Sequence, residues 1–302
     1  MPAPALTLEN LNAMAPAAFV AALGEVFEHA PWVAQAAAPG RPYATVAALH
    51  DAMLAAVRAA PADRQSGFIG GHPELGSRVG QAVDLTDASK SEQGSLGLDS
   101  LSAAEFASFS RLNRDYRDKF GIPFIICVRR HTRDSILRNF ERRLGNDPAA
   151  ERAQALTEIG LITRLRVNAL VDGPGRPVTE GRLSTHVLDT VSGRPAPGVK
   201  IVLHEIGASA RGLLKETVTN ADGRTDAPLI GGEPLRTGTY ELSFHIGDYF
   251  AKTTFARTTN RLAADPPFLD VVPIRFAIAE PEGHYHVPLL ATPWSYTTYR
   301  GS

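Results

Sequence analysis

The residues best suited to chemistry lie late in the chain, in the run His284-Tyr285-His286-Val287-Pro288-Leu289-Leu290 and in the terminal run Tyr299-Arg300-Gly301-Ser302. Residues two apart in a β-strand share a face, so His284 and His286 would point one way and the apolar residues of their run the other. One face can then pack while the other carries chemistry. Most chain ends fray, but the phenol, guanidinium and hydroxyl of the terminal run predict an end that is held in place and used.

His186 and Arg224 extend this set of polar side chains. His186 shares a face with Ser184 in a predicted strand, and Arg224 follows the turn-forming pair Asp222-Gly223. A histidine titrates near neutral pH and can take a proton from water, while an arginine can hold a developing oxyanion. Single histidines in strands are more often structural. Two histidines two apart could also bind zinc, but a closed zinc site needs about four ligands, and the chain has one cysteine.

A second set of polar residues interrupts the first half of the chain. The glycines and the proline of Gly70–Gly76 predict a loop that enters a helix, with His72 near the helix start. In the polar cluster that follows, Ser89 and Gln93 are four apart and would share a helical face, with Glu92 at its edge. The alternative for this cluster is an inert capping box that runs from Ser89 to Glu92.

Helical periodicity dominates the first part of the chain. Thr45–Ala60 begins with a capping threonine and places its apolar residues on one stripe. Ser100–Phe120 follows the same spacing and stops at Gly121, and Pro148–Leu170 repeats the pattern. With the usual helix length as a guide, these patterns predict an all-α bundle of roughly seven to nine helices.

The period changes after Asp172–Pro177, a stretch with two glycines and two prolines that is the predicted linker. Beyond it, Tyr240–Ile246 and Val272–Ile278 alternate with a period of two. Asp222-Gly223 and Gly231-Gly232 supply predicted turns. These features predict a β-sandwich of short strands with one short helix.

The chain has 302 residues, which suits two domains. We place an all-α domain at 1–171, a linker at 172–180 and a β-sandwich domain at 181–302, a multidomain α and β fold class. The formal net charge of -1 gives no reason to expect nucleic acid or an anionic membrane as a partner. A single cysteine, Cys127, with no signal peptide and no membrane-spanning apolar run, predicts a cytoplasmic protein.

The late motifs indicate a family. The residues Leu-Ser-Thr-His-Val-Leu-Asp-Thr around His186, Tyr-His-Val-Pro-Leu-Leu around His286, and the terminal Tyr-Arg-Gly-Ser resemble the signatures of 5-hydroxyisourate hydrolase, the catalytic relative of transthyretin. The resemblance covers about 182–302 and implies a transthyretin-like sandwich that forms a tetramer, with active sites between subunits. The catalytic residues and substrate contacts that it implies are His186, Arg224, His286 and Ser302, with Tyr299 and Arg300.

Ring opening of 5-hydroxyisourate needs an activated water and a stabilised negative charge. The resemblance implies that His186 and His286 position and activate the water while Arg224 holds the urate-like ring, and which histidine is the base stays open. The rival class is a transthyretin-like carrier, because the fold alone does not separate the two. Two histidines and an arginine suit a polar heterocycle better than an aromatic hormone.

The first half resembles 2-oxo-4-hydroxy-4-carboxy-5-ureidoimidazoline (OHCU) decarboxylase. The resemblance rests on His72-Pro73, on Ser89–Gln93 and on Phe120–Val128, and covers roughly 8–171. It implies an all-α, cofactor-free, usually dimeric enzyme in which His72 donates a proton and Glu92 takes part. The substrate-binding residues that it implies are Pro73, Ser89, Gln93, Phe124, Ile125, Ile126, Cys127, Val128 and, more loosely, Arg166. We expect Glu92 to raise the pKa of His72 and Arg166 to hold a carboxylate.

The two resemblances describe consecutive steps, because the hydrolase makes the unstable OHCU and the decarboxylase converts it to (S)-allantoin. We therefore expect one bifunctional enzyme of urate degradation that acts on 5-hydroxyisourate and OHCU without a metal or cofactor. It would be a homo-oligomer through dimeric helical and tetrameric sandwich domains, cytoplasmic, and peroxisomal only in a eukaryote. The alternative is a transthyretin-like ligand-binding or scaffold protein with a helical interaction module.

Overall fold

The chain folds into two compact units. In the computed structural model the described residues are 6–75, 87–94, 103–208, 210–253 and 266–301, and at 87, 93 and 104 only the backbone is described. The first unit runs to Arg129 and resumes over Ser135–Thr179. The second comprises Arg130–Asp134 and the chain from Glu180 onward.

The first unit is built from helices, nine of which fall among the described residues. They are α1 Leu8–Ala13, α2 Pro16–Leu23, α3 Pro31–Ala37, α4 Val46–Ala59, α5 Ala62–Gly70, α6 Asp87–Gly94, α7 Ala103–Phe120, α8 Arg133–Arg143 and α9 Pro148–Leu170. This number agrees with the bundle predicted from the sequence.

The helix ends follow from local chemistry. The Thr45 side chain accepts a hydrogen bond from the N–H of Ala48 at 3.0 Å and so caps α4, as predicted. Gly121, in the left-handed conformation at φ 68°, follows the last residue of α7, whose predicted start at Ser100 lies outside the described residues. Asp147 caps α9, which spans the predicted range.

Two apolar clusters fill the first unit. One contains buried side chains of α1 to α5 and α9. The other joins α7 and α8 to the extended segment between them, and the rings of Phe124 and Phe140 stack in it with centroids 3.6 Å apart. These clusters hold that segment along a wall of the unit.

The stretch predicted as a linker packs against the first unit. Strand β1 (Leu6–Thr7) pairs in parallel with β2 (Val171–Asp172). The N–H of Val46 donates to the carbonyl of Pro174 at 3.0 Å. Gly175 has φ 61°, and a Cβ there would lie 2.6 Å from the Thr45 side chain, so the close approach to the start of α4 requires glycine.

The second unit is built from short strands. They are β3 Gly181–Ser184, β4 Val187–Asp189, β5 Arg194–Pro195, β6 Lys200–Ile206, β7 Arg211–Val218, β8 Ile230–Glu233, β9 Gly238–His245, β10 Val271–Ile278, β11 His284–His286, β12 Leu289–Ala291 and β13 Tyr296–Thr298, with one helix, α10, at Ile246–Ala251. The strand orders are β10-β9-β6-β7, β11-β3-β8 and β13-β12-β4-β5.

The core of the second unit joins these sheets into a sandwich. Leu183 of β3, Leu242 of β9 and Tyr285 of β11 belong to one buried apolar cluster.

Strand β10 alternates buried and more exposed residues as predicted. In β9 the predicted alternation is wrong, because Glu241 and Ser243 on its second face are buried as well and Ile246 begins α10. The turn predicted at Gly231-Gly232 is wrong, because both residues lie inside β8, where Gly232 takes a positive φ of 78°. None of the helices in the described ranges has the length and apolar character that crossing a membrane requires.

Candidate active sites

A cavity in the first unit brings together most of the residues singled out in that half of the sequence. Its lining consists of His72, Pro73, Leu75, Ser89, Glu92, Phe124, Ile125, Ile126, Val128, Ile162 and Arg166. Cys127 is buried beside this wall but does not line the described part of the cavity. The side chain of Gln93 lies outside the described residues.

His72 lies just beyond the C-terminal end of α5, and the helix predicted to begin after it would start beyond Leu75, outside the described residues. Its Nδ1–H donates to the Phe68 carbonyl at 3.0 Å, one of the carbonyls left over at a helix end. Its ring also makes an edge contact with the Phe68 ring at 5.0 Å between centroids. Because a carbonyl only accepts hydrogen bonds, this contact fixes the tautomer and leaves the lone pair on Nε2.

Burial lowers the pKa of His72 to about 4, although the Phe68 carbonyl and the Glu28 carboxylate act in the opposite direction. The expectation of a raised pKa for His72 is therefore wrong, because burial outweighs the opposing effect of the Glu28 carboxylate. At neutral pH the free site holds a neutral His72.

Arg166 lies at the centre of a buried polar network. It makes a two-pronged ion pair with Glu92, from Nε at 3.0 Å and Nη2 at 2.8 Å. Its Nη1 donates to Glu28 at 2.8 Å and to the Val26 carbonyl at 3.4 Å, and its Nη2 also donates to Ser89 at 3.1 Å. These contacts use all five N–H groups of a guanidinium. A substrate carboxylate could bind Arg166 only by displacing one of them.

Burial alone would lower the pKa of the Arg166 guanidinium, but the Glu92 and Glu28 carboxylates outweigh burial and raise it above its usual value. Arg166 therefore stays charged. Its contacts with Glu92, Glu28 and Ser89 suit it to hold those side chains in place around the cavity.

Ser89 and Glu28 form the buried side of this network. Ser89 lies inside α6, and its hydroxyl is 2.9 Å from both carboxylate oxygens of Glu28. The alternative of an inert, solvated capping box is therefore wrong. Ser89 is instead 6% exposed and is tied to a carboxylate 61 residues away in sequence.

Glu28 is the residue of this site that the sequence analysis missed. It is 4% exposed, and both Glu28 (φ 22°) and His29 (φ 50°) have positive φ values, which non-glycine residues rarely adopt. Backbone strain of this kind clusters at functional sites. The available signal was the polar pair Glu28-His29, which stands between the apolar residues Val26-Phe27 and Ala30 just before Pro31.

Buried charges also fix the cavity wall. The Ile125 carbonyl accepts from Nη1 of Arg143 at 2.6 Å, and the Cys127 N–H donates to Glu158 at 3.0 Å. Arg143 and its ion-pair partner Glu151 are both fully buried. Buried charged side chains thus hold the backbone of Ile125 and Cys127, while Ile125 and Ile126 line the cavity.

In the second unit a tight turn presents Arg224. The Asn220 side chain accepts from the N–H groups of Asp222 at 3.0 Å and Arg224 at 3.2 Å, and Arg224 forms a β-bridge with His186. Gly223 has φ 69°, and a Cβ there would lie 2.3 Å from the carbonyl oxygen of Val187. The predicted turn at Asp222-Gly223 is confirmed, and it brings Arg224 beside His186.

Strand pairing positions the other two histidines. In the parallel pairing of β11 with β3, His286 lies opposite Ser184 and His284 opposite Arg182. The Ser184 hydroxyl is 3.0 Å from Nδ1 of His286 and 3.1 Å from Nε2 of His284. Tyr285 is 4% exposed, so one face of β11 packs while the other carries the imidazoles, as predicted.

The end of the described chain is held against this site. The Gly301 N–H donates to the His286 carbonyl at 2.8 Å, and a Cβ on Gly301 would lie 2.8 Å from the His286 ring. Tyr299 is 58% exposed, and the Arg300 guanidinium lies over the Tyr285 ring at 4.6 Å. Ser302 lies outside the described residues, so its predicted catalytic role stays a prediction.

Burial and neighbouring cations keep the two predicted catalytic histidines neutral. Burial lowers the pKa of His286, and the Arg224 cation lowers it further. Burial and Arg224 also lower the pKa of His186, whose buried Nε2 has no hydrogen-bond partner among the described residues. Arg224 is thus near both histidines, and each imidazole can accept a proton at neutral pH.

Comparisons with known proteins match both units. A family model described as OHCU decarboxylase matches residues 12–168, and one described as HIUase/Transthyretin family matches residues 183–301. The 5-hydroxyisourate hydrolase of Deinococcus radiodurans is 56% identical over 120 residues, which is 40% of this chain and 95% of that protein. The 2-oxo-4-hydroxy-4-carboxy-5-ureidoimidazoline decarboxylase of Haloferax volcanii is 41% identical over 162 residues, which is 54% of this chain and 94% of that protein. A crystal structure of (S)-allantoin synthase aligns with 98% of this chain and 100% of that one, at 34% identity and a TM-score of 0.52.

Glu28→Ala tests whether the buried network supports the first site. The change would leave a buried cation without one of its two carboxylates, and we expect it to destabilise the first unit by about 3–5 kcal/mol, measured by denaturant unfolding. Glu9→Ala on the exposed face of α1 is the control and should cost far less. Equal losses in the two variants would contradict the role given to Glu28.

Gly223→Ala tests the turn that presents Arg224. An alanine at φ 69° costs about 1–2 kcal/mol in strain, and here its Cβ would also collide with the Val187 carbonyl. Gly193→Ala is a matched control, because Gly193 also has φ 69° but a Cβ there would meet nothing within 4 Å. We expect a larger drop in the melting temperature for Gly223→Ala, and an equal drop would show that the collision is relieved without cost.

Proposed function

Because the chain belongs to the OHCU decarboxylase family over residues 12–168 and to the HIUase/Transthyretin family over residues 183–301, we propose that it is a bifunctional enzyme of urate degradation. The second unit hydrolyses 5-hydroxyisourate to OHCU, and the first unit decarboxylates OHCU to (S)-allantoin. The observation that carries the proposal is the alignment with (S)-allantoin synthase, because it covers both units at once.

The hydrolysis begins with removal of a proton from water. Nδ1 of His286 is 3.0 Å from the Ser184 hydroxyl, and when Nδ1–H donates to that hydroxyl, Nε2 keeps the lone pair that takes the proton. The unpartnered Nε2 of His186 is available to orient the water or a polar atom of the ring. Arg224, which is exposed beside both histidines, supplies the positive charge for the oxygen anion that forms when water attacks the ring carbonyl.

Decarboxylation consumes one proton, because the carbon that loses carbon dioxide must gain hydrogen. In the first site Nδ1 of His72 is tied to the Phe68 carbonyl, so its Nε2 is the atom that delivers the proton from a fixed direction. An imidazole with a pKa of about 4 is neutral in the free site, and the negative charge of bound OHCU supplies the interaction that raises this pKa.

The apolar part of the cavity lining favours loss of the carboxylate. Ile126, Val128 and Ile162 line the cavity with apolar side chains. A carboxylate is poorly stabilised in such surroundings, whereas the delocalised charge left after carbon dioxide departs is less affected. Glu92, held by Arg166, is placed to accept hydrogen bonds from the ureido or hydroxyl groups of the substrate.

The two polar sites weigh against a transthyretin-like carrier or scaffold, since neither task needs neutral, partly buried imidazoles. The homo-oligomer belongs to the same proposal. Strand β10 pairs only with β9 among the described strands and lies at the edge of its sheet, with Val271 38% exposed, so it offers a surface for a second copy. The cytoplasmic location stays a prediction from the sequence.

His72→Ala and His186→Ala should separate the two activities. In His72→Ala we expect hydrolysis to remain and allantoin to form only slowly and as a racemate, because OHCU then loses its fixed proton donor. In His186→Ala we expect slow hydrolysis and normal stereospecific decarboxylation of supplied OHCU. Absorbance reports the loss of freshly generated 5-hydroxyisourate and optical rotation reports the product. If either change abolished both activities in a folded chain, the assignment of two sites would be wrong.

Binding to the first site should take up a proton. The His72 pKa of about 4 must rise above the ambient pH before Nε2 can act as an acid. Calorimetric titration with an unreactive anionic analogue of OHCU near neutral pH, in buffers of different ionisation enthalpy, should show uptake of about one proton per first site. The His72→Asn variant is the matched control, and the difference in proton uptake between it and the unmodified chain gives the uptake that is due to His72. Equal buffer dependence in both proteins would assign the donor role to another group.

A further inference from the structure

One serine hydroxyl lies between two imidazoles in the second site. The Ser184 Oγ is 3.1 Å from Nε2 of His284 and 3.0 Å from Nδ1 of His286. We propose that Ser184 and His284 form a proton relay that carries to solvent the proton that His286 takes from water, an inference that rests on the proposed hydrolase function. His284 is exposed, whereas His286 is partly buried, so the path runs outward.

Because Ser184 has only one hydroxyl hydrogen, the tautomer of one imidazole determines the tautomer of the other. A serine hydroxyl has a single proton and can donate it to one imidazole nitrogen, so the other contact must be donated by an imidazole N–H. When Nδ1–H of His286 donates to Ser184, the hydroxyl donates to Nε2 of His284. In the opposite arrangement, Nε2–H of His284 donates to Ser184, and the hydroxyl donates to Nδ1 of His286.

The first arrangement prepares His286 to act as a base, since it leaves the lone pair on Nε2. When Nε2 gains the proton of water, the Nδ1–H bond of His286 breaks as a new O–H bond forms on Ser184. The original hydroxyl proton then moves to Nε2 of His284, which becomes an imidazolium and releases its Nδ1 proton to solvent. One proton enters and one leaves, no electrons are transferred, and both neutral rings end in the opposite arrangement. Exchange of protons with solvent after product release, with Nε2 of His286 losing a proton and Nδ1 of His284 gaining one, reverses the relay and restores the first arrangement.

The reaction needs such an exit. Hydrolysis of a ring amide yields a carboxylate, and in this ring the freed nitrogen is part of a ureido group and too weakly basic to keep an extra proton. One proton per turnover must therefore leave the site near neutral pH. Among the described residues, the charged and titratable groups that lower the pKa of His286 are Arg224, His186, His284 and Arg182, and they favour its return to the neutral form.

The pairing of β11 with β3 holds the three side chains of the relay in position before substrate binds. The parallel register of β11 and β3 places Ser184 opposite His286, and β-strand alternation puts His284 on the same face two residues earlier. The Gly301 N–H bonds the His286 backbone from the other side. The three side chains thus need no rearrangement to pass a proton.

The test measures kcat for freshly generated 5-hydroxyisourate with the full chain, at low and at high concentrations of imidazole buffer. In His284→Gln the amide can still bond Ser184 but cannot relay a proton. We expect kcat to fall at least about tenfold in dilute buffer, to recover with added imidazole, and KM to stay unchanged. Ser184→Ala should lose as much and recover less, because it also frees the His286 tautomer, whereas Ser184→Thr should retain most activity.

His204→Gln, a histidine change elsewhere on the sheets of the same unit, should behave like the unmodified chain in every buffer. The thermal unfolding curve of each variant, compared with that of the unmodified chain, checks that the second unit is folded. A kcat of His284→Gln equal to that of the unmodified chain in dilute buffer, or a loss that imidazole does not restore, would overturn the relay. Failure of the unmodified chain to hydrolyse 5-hydroxyisourate would instead overturn the proposed function.

Discussion

Both sites depend on an imidazole that is kept neutral by burial and held through one ring nitrogen. Phe68 engages Nδ1 of His72 through a helix-end carbonyl, and Ser184 engages Nδ1 of His286 through a hydroxyl. In each case Nε2 is the atom left for chemistry, and its direction is set by the partner of Nδ1. A charged imidazole could not accept a proton from water, and an untethered one could not deliver a proton to one face of a substrate.

The proposed reactions use these imidazoles in opposite senses. Hydrolysis releases a proton. In its site, positively charged groups near His286 favour loss of that proton, and the exposed His284 can pass it to solvent. Decarboxylation consumes a proton. In its site, the Glu28 carboxylate lies near His72, and the negative charge of the substrate is needed to protonate the imidazole. Over the two steps the proton released by one reaction equals the proton taken up by the other.

In the first unit, the buried ion pairs hold side chains and backbone in position and contribute little to the net free energy of unfolding. Desolvation of two charges offsets most of their attraction, so Arg166 with its carboxylates and Arg143 with Glu151 are weak evidence for net stabilisation. Their directional hydrogen bonds, however, fix Glu92, Ser89 and the backbone of the cavity wall. The positive φ at Glu28 fits the same interpretation, because strain persists only where surrounding contacts determine the conformation.

The sequence by itself determined the type of most elements and the motif residues, although the turn predicted at Gly231-Gly232 proved to be part of a strand. Periodicity and caps predicted α4 and α9, because a helix stripe and its terminal hydrogen bonds depend on residues within a few positions of one another. Only the tertiary structure decided the partners of the functional groups. Glu28 meets Arg166 across 138 residues and Ser184 meets His284 across 100, and the type of a polar residue does not indicate whether folding will leave it in water or bury it against a distant charge. For the same reason the lowered pKa of His72 could not be predicted, since desolvation is a property of the packed chain.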